Sequence, residues 1–229
     1  MKFGIVVFPG GSFAEDYVHV INDLLSCKTE YISHNNTEHL RYDCIILPGG
    51  YSYADKPRCG SEARLSPVMN EIISFASNGG PVIGIGNGFQ ILTEAHLLDG
   101  RLDANIEGKF ICRESYIKVE NRSTMFTSSI NKDLIRMHTA HYFGRYTGDA
   151  GVVDRVENEG RVVLRYSDKD GRITSESCPE GSENNIAAII SKSGNIIGMM
   201  PMPERSADGL YGNSDGLDIF KSVLAQVAN

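Results

Sequence analysis

The sequence predicts an α/β fold, a mostly parallel sheet flanked by helices with a β-rich C-terminal half, and three observations predict it. Apolar runs of strand length alternate with longer segments whose apolar residues recur at helical spacing, an order that gives a parallel sheet with right-handed crossovers. Three turns, Pro9-Gly10-Gly11, Pro48-Gly49-Gly50 and Gly84 to Gly88, follow such runs, at the carboxyl ends of strands where ligands sit in open α/β sheets. After Gly100 the alternation gives way to short strands separated by turn-rich stretches.

Phe3 to Phe8 is a near-continuous apolar run and so a buried first strand. Glu15 to Leu25 carries Tyr17, Val18, Val20, Ile21, Leu24 and Leu25 on one side, which predicts a helix. Strands are predicted over Lys28 to Ser33 and Tyr42 to Leu47. Leu65, Val68, Met69, Ile72 and Phe75 predict a helix from Glu62 to Ser77, stopped by Asn78-Gly79-Gly80. Val82 to Ile85 is a strand that runs straight into Gly86 and then into a helix. In the second half, Phe110 to Val119, Leu134 to Met137 and Arg161 to Tyr166 read as short, partly antiparallel strands. Ser167 to Asn184 reads as a mobile surface loop. Ile186 to Ser191 and Ile196 to Met200 form a hairpin about Lys192-Ser-Gly-Asn195, and Ser214 to Val227 closes the chain as a helix.

Residues 1–229 fit one domain, since α/β domains of roughly 200 to 250 residues are common. The composition, 41% hydrophobic and 22% charged, is that of a soluble globular protein, and no apolar run approaches the roughly 18 residues of a membrane span. The N-terminal apolar run is too short for a signal peptide. A net charge of −7 without any Lys/Arg cluster argues against a nucleic-acid partner. Five cysteines, an odd number with no C-x-x-C pair, suggest neither a disulfide framework nor a zinc site, and so a reducing cytoplasm.

Gly84, Gly86 and Gly88 have the spacing of a nucleophile elbow, in which flanking glycines let a strand reverse into a helix while the central side chain is held out over the sheet edge. The central residue here is Gly86, which has no side chain. The surrounding motifs, Leu47-Pro-Gly-Gly-Tyr-Ser-Tyr-Ala-Asp55, Gly84-Ile-Gly-Asn-Gly-Phe-Gln90, Gly108-Lys-Phe-Ile-Cys112, Ala140-His-Tyr-Phe-Gly-Arg145, Gly181-Ser-Glu-Asn-Asn-Ile-Ala187 and Gly198-Met-Met-Pro-Met-Pro-Glu-Arg205, together resemble the class I (triad) glutamine amidotransferases, whose fold is flavodoxin-like. Within that family the resemblance is to the glutaminase subunits of phosphoribosylformylglycinamidine synthase, and it covers nearly the whole chain.

The resemblance implies a cysteine at the elbow that attacks the carboxamide of glutamine to give a thioester and ammonia, a histidine that shuttles the proton, and a carboxylate that orients the histidine. Carried over residue by residue, the nucleophile position is Gly86, the base position Met202 and the carboxylate Glu204; only Glu204 keeps the family's residue. The oxyanion donors fall at Gly49, Gly50 and Asn87, and being backbone N–H groups they survive loss of side chains. No metal is implied, and ATP and Mg belong to a partner. The implied partners are a large synthetase subunit, a small bridging subunit and glutamine. A chain with these substitutions is expected to have lost efficient glutaminase chemistry, and the paired change reads as drift after selection on that chemistry relaxed. The alternative is a stand-alone glutamine or small-amide binding or regulatory protein on the same scaffold. Cys27, Cys44, Cys59 and Cys112 are weak substitutes for the nucleophile, Cys59 the least unsuitable because it follows the Pro48 loop. His141 reads as a structural hydrogen-bonding histidine in preference to a site residue.

Overall fold

The computed structural model describes residues 1–11 and 13–227. A nine-stranded sheet runs through it. β1 (Lys2–Val7) pairs in parallel with β2 (Lys28–Ser33) on one side and β3 (Cys44–Leu47) on the other. Beyond β3 follow β4 (Val82–Ile85) and then β11 (Ile196–Met199), also parallel. From β11 outwards every pairing is antiparallel, through β10 (Ile186–Ile190), β9 (Val162–Ser167), β6 (Ile111–Val119) and β7 (Leu134–His141). The parallel half is thus the N-terminal one, closed by the second arm of a C-terminal hairpin. β5 (Arg101–Asp103) and β8 (Arg145–Thr147) form a separate antiparallel pair.

Two apolar cores lie on the two faces, and strand alternation deals residues to each. Phe3 and Ile5 of β1 and Cys44 and Ile46 of β3 face one core; Val6, Ile45 and Leu47 face the other. The first core is covered by α1 (Ala14–Val18) and α5 (Leu217–Val227), through Tyr17, Ile219, Phe220 and Val223. The second is covered by α2 (Val68–Ser77), α3 (Asn87–Glu94) and α4 (Val152–Asn158).

Several predicted elements differ in detail. The helix predicted over Glu15 to Leu25 is α-helical only to Val18 and continues as a π-helix over His19–Leu24, with the Leu25 N–H bonded to the Val20 carbonyl at 3.1 Å. The helix predicted from Glu62 is broken because Ser66, the residue before Pro67, is extended (φ −64°, ψ 144°), so a short 3₁₀ turn at Ala63–Leu65 precedes α2. The predicted mobile loop from Ser167 to Asn184 is pinned instead. The Asp168 carboxylate accepts the N–H groups of Asp170 and Arg172, and the Asn185 amide donates to Tyr166, Thr174 and Ser177. Glu180 and Ser182 are buried within it. Helix α4 and strands β5 and β8 were not anticipated. Among the described residues, no helix is long and apolar enough to cross a membrane.

Candidate active site

β4 ends at Ile85 and α3 begins at Asn87, so Gly86 alone makes the reversal, at φ 55° and ψ −110°. Helix and sheet press together on either side of it. A Cβ on Gly88 would lie 1.9 Å from the Leu47 carbonyl oxygen, and one on Gly84 2.4 Å from Leu92. Those glycines are demanded by packing. Among the described residues, a Cβ on Gly86 meets only the Gly49 Cα, at 3.6 Å, so the packing found at Gly84 and Gly88 is not repeated at the tip of the elbow. The elbow is therefore formed, and only its side chain is missing.

Gly86 opens on a cleft lined also by Gly49, Gly50, Asn87 and Met202, five of the six residues singled out in the sequence. Asn87 is the first residue of α3, so its N–H has no acceptor within the helix, and it lines the same cleft as Gly49 and Gly50. Met202 is buried, and its N–H bonds to the His138 carbonyl at 2.8 Å, which ties the segment after β11 to β7. Its thioether methyl lies over Gly49. A thioether has no transferable proton, so no base occupies this position.

Glu204, two residues on, does not line the cleft. It is buried in the 3₁₀ turn Pro203–Ser206, and neither carboxyl oxygen has a hydrogen-bond partner among the described residues. Burial pushes its carboxyl up to about 8, the nearby Asp16 adding to the effect. The Tyr17 hydroxyl, held well above its usual range first by burial and then by Glu204, is likewise unpartnered among those residues. The carboxyl at the position the resemblance implies for the orienting group therefore has a methionine, not an imidazole, two residues before it.

A chain of side-chain hydrogen bonds ties the cleft's three walls together. The Asn87 carbonyl oxygen accepts the Ser52 N–H at 3.1 Å, and its amide nitrogen donates to Gln90 Oε1 at 2.8 Å. Gln90 Nε2 donates to the Phe143 carbonyl at 2.6 Å. The turn after the Pro48 loop, the elbow helix and the turn after β7 are thus joined by direct hydrogen bonds. Asp55 also faces the cleft, its Oδ1 3.4 Å from Asn87 Nδ2, and burial raises its carboxyl to about 6. It sits on a left-handed turn in which Tyr53, Ala54 and Asp55 all have positive φ (52°, 56° and 54°).

His141 makes the hydrogen bond expected of it, with Nδ1 3.3 Å from Asn105 Oδ1, yet its ring also lines the cleft. Burial lowers its imidazole to about 4, so it is neutral. Asn105 is the hub of this wall. Its amide nitrogen donates to the carbonyls of Lys109 and His141, and its oxygen accepts the Gly144 N–H. Asp55 and Gln90 stood inside the sequence motifs without being singled out, whereas Asn105 lies in no motif.

No cysteine replaces the missing nucleophile. Cys59 is buried, bonded through Sγ to the Leu102 carbonyl, with its thiol pushed up to about 12 by burial; Cys44 is buried and raised further. Cys27, Cys112 and Cys178 do not line the cleft either. Among the described residues, no group of three His, Cys, Asp or Glu side chains is placed to hold a metal.

The chain matches the CobB/CobQ-like glutamine amidotransferase domain over residues 5–220. The phosphoribosylformylglycinamidine synthase subunit PurQ of Chlorobaculum parvum is 45% identical over 229 residues, covering all of this chain and 91% of that protein. The same subunit of Moorella thermoacetica is 42% identical over 225 residues, covering 98% of this chain and 95% of that one. Among solved structures, a chain of PurLQS from Thermotoga maritima superposes with a TM-score of 0.86 at 37% identity, covering 99% of this chain and 98% of that one. A fold with a formed elbow, a matching domain end to end and relatives of this similarity give one conclusion: the chain belongs to the CobB/CobQ-like glutamine amidotransferase family, on the branch of the PurQ subunits of phosphoribosylformylglycinamidine synthase.

Proposed function

We propose that this chain is a single-domain PurQ-type subunit, residues 1–229, that keeps the scaffold and cleft of a glutaminase and has lost its thioester chemistry. The observation that carries the reading is Gly86 at the tip of a formed elbow. Without a thiol no acyl-enzyme forms, and without an imidazole at Met202 no proton passes to the leaving ammonia. The oxyanion donors Gly49, Gly50 and Asn87 remain, a contribution that by itself leaves only roughly 10³ to 10⁴ over water in the serine-protease comparison. The names of the relatives support assembly with a large synthetase subunit and a small bridging subunit; the cytoplasm is the compartment proposed for that complex. ATP and Mg act in the synthetase subunit, and this subunit holds neither. Its own part is structural or glutamine-sensing, with the complex drawing on free ammonia.

The test measures ammonia release from glutamine with the partner subunits present. The reading expects release no more than roughly 10³ to 10⁴ above the uncatalysed rate; a rate comparable to that of cysteine glutaminases overturns it. Failure to co-elute with those subunits favours the second reading, a stand-alone protein that binds glutamine or another small amide, which the intact Asn87–Gln90–Phe143 wall supports.

A further inference from the structure

We propose that Phe13 is a plug: its ring, held down by the Arg205 guanidinium, shuts the cleft to a whole amino acid, and the cleft opens when that hold is released. This deepens the reading above and rests on it, since it concerns the cleft that the lost chemistry left behind.

The ring lies against the wall of the inferred oxyanion donors. A Cβ on Gly49 would sit 3.4 Å from Phe13 Cδ2 and 3.9 Å from the Met202 methyl, so two apolar groups converge on one backbone position. Both side chains line the cleft. The cavity they leave is about 50 Å³, room for about three to five waters and too little for glutamine.

Of the two side chains, Phe13 is the one placed to move. Met202 is buried, and its N–H is tied to the His138 carbonyl of β7. Phe13 is only half-buried and stands at the N-cap of α1, at φ 73° and ψ 9°, where its side chain caps nothing. A non-glycine residue in that left-handed conformation is strained, and such strain persists only where the surroundings hold it.

Two contacts supply the hold. The Arg205 guanidinium lies 4.2 Å from the Phe13 ring centroid, and Arg205 Nε donates to Asp16 Oδ2 at 3.2 Å, which fixes the cation over the ring. Arg205 belongs to the same 3₁₀ turn as Glu204, and Asp16 to α1, so the clamp joins the segment after Met202 to the helix that Phe13 opens. It is a clamp that can be undone. Arg205 and Asp16 keep 37% and 41% of their side-chain surface exposed, and a solvated ion pair and an exposed cation–π contact are each of modest strength. With the ring in place the chain serves only as a structural part of its complex; sensing glutamine requires the ring to be out.

The experiment titrates the full chain and its variants with L-glutamine by calorimetry and records each melting temperature. The parent is expected to bind weakly, with half-saturation at millimolar glutamine or above. Phe13→Ala is expected to bind roughly tenfold tighter or more, because binding no longer competes with closure. Arg205→Ala removes a partly exposed side chain, leaves ring and core in place, and is expected to bind about threefold tighter than the parent. Phe13→Tyr keeps the ring and is expected to match the parent. Should Phe13→Ala fail to fold, Arg205→Ala decides. A parent that binds as tightly as Phe13→Ala, an Arg205→Ala chain no tighter than the parent, or a Phe13→Tyr chain as tight as Phe13→Ala overturns the proposal. Glutamine hydrolysis by the assembled complex defeats the subunit reading, whereas unchanged affinity in Arg205→Ala beside intact co-elution defeats only this one.

Discussion

At Gly86, a Cβ meets a single atom of the described residues within 4 Å, the Gly49 Cα, and the Met202 methyl approaches the same glycine. Restoring both groups places a thiol at the tip of a formed elbow and an imidazole next to the surviving Glu204. Gly86→Cys with Met202→His is therefore expected to raise ammonia release from glutamine by roughly 10²-fold or more, while either change alone stays at the parent rate, because thiol and base act as a unit. Glu204 makes a second prediction. Its folded-state carboxyl stands at about 8 against an ordinary value of 4.5, set first by burial, with Asp16 adding to the effect and Arg205 opposing it. Below about pH 4.5 folded and unfolded chains are both protonated there, and nothing is lost. Between about 4.5 and 8 the unfolded chain gives up the proton and the folded chain keeps it, so stability falls as pH rises, by an upper bound of about 5 kcal/mol. Glu204→Gln is expected to flatten that limb in denaturant titrations from pH 5 to 9; an unchanged slope contradicts the buried, unpartnered carboxyl.

Elements carry the cleft unevenly. The turn Tyr53-Ala54-Asp55 is left-handed throughout, and Ala54 at φ 56° is where glycine is worth most. Ala54→Gly is expected to stabilise the chain by about 1 kcal/mol, read as a rise in denaturation midpoint at constant slope. The parallel half was legible because β1, β3 and β4 are buried on both faces and so read as apolar runs ending in glycine turns, whereas β2 is a largely exposed edge strand; β2 and β4 have the predicted bounds. The elbow was legible from three glycines, two of them enforced by helix-to-strand contact. α4 left a usable signal, Val152, Val153 and Val156 behind Gly151, that went unread. β5 and β8, three residues each, are too short for periodicity to register. Asn105 was illegible because its partners, Lys109, His141 and Gly144, meet it only once the chain after β5 packs on the turn after β7.

At the scale of the whole molecule, two cores lie on the two sheet faces and the cleft, with Gly86 and Met202 in its wall, opens at the carboxyl ends of the parallel strands. A complex assembled around this chain is expected to make product when given ammonium chloride and to make none above background when given glutamine, measured as product formed per complex with the other substrates saturating. Product from glutamine at the ammonium-supported rate contradicts the proposed loss. The conformation of Gly86 also bears on how such a chain changes over generations. At φ 55° glycine rests without penalty, whereas any return to a side chain there gives up about 1–2 kcal/mol, a sizeable share of the 5–15 kcal/mol that holds a typical protein folded. In a chain whose elbow thiol does not contribute to fitness, stability alone favours glycine there and opposes its reversal. The elbow therefore works as a ratchet, easy to disarm by one substitution and held disarmed by the fold it belongs to.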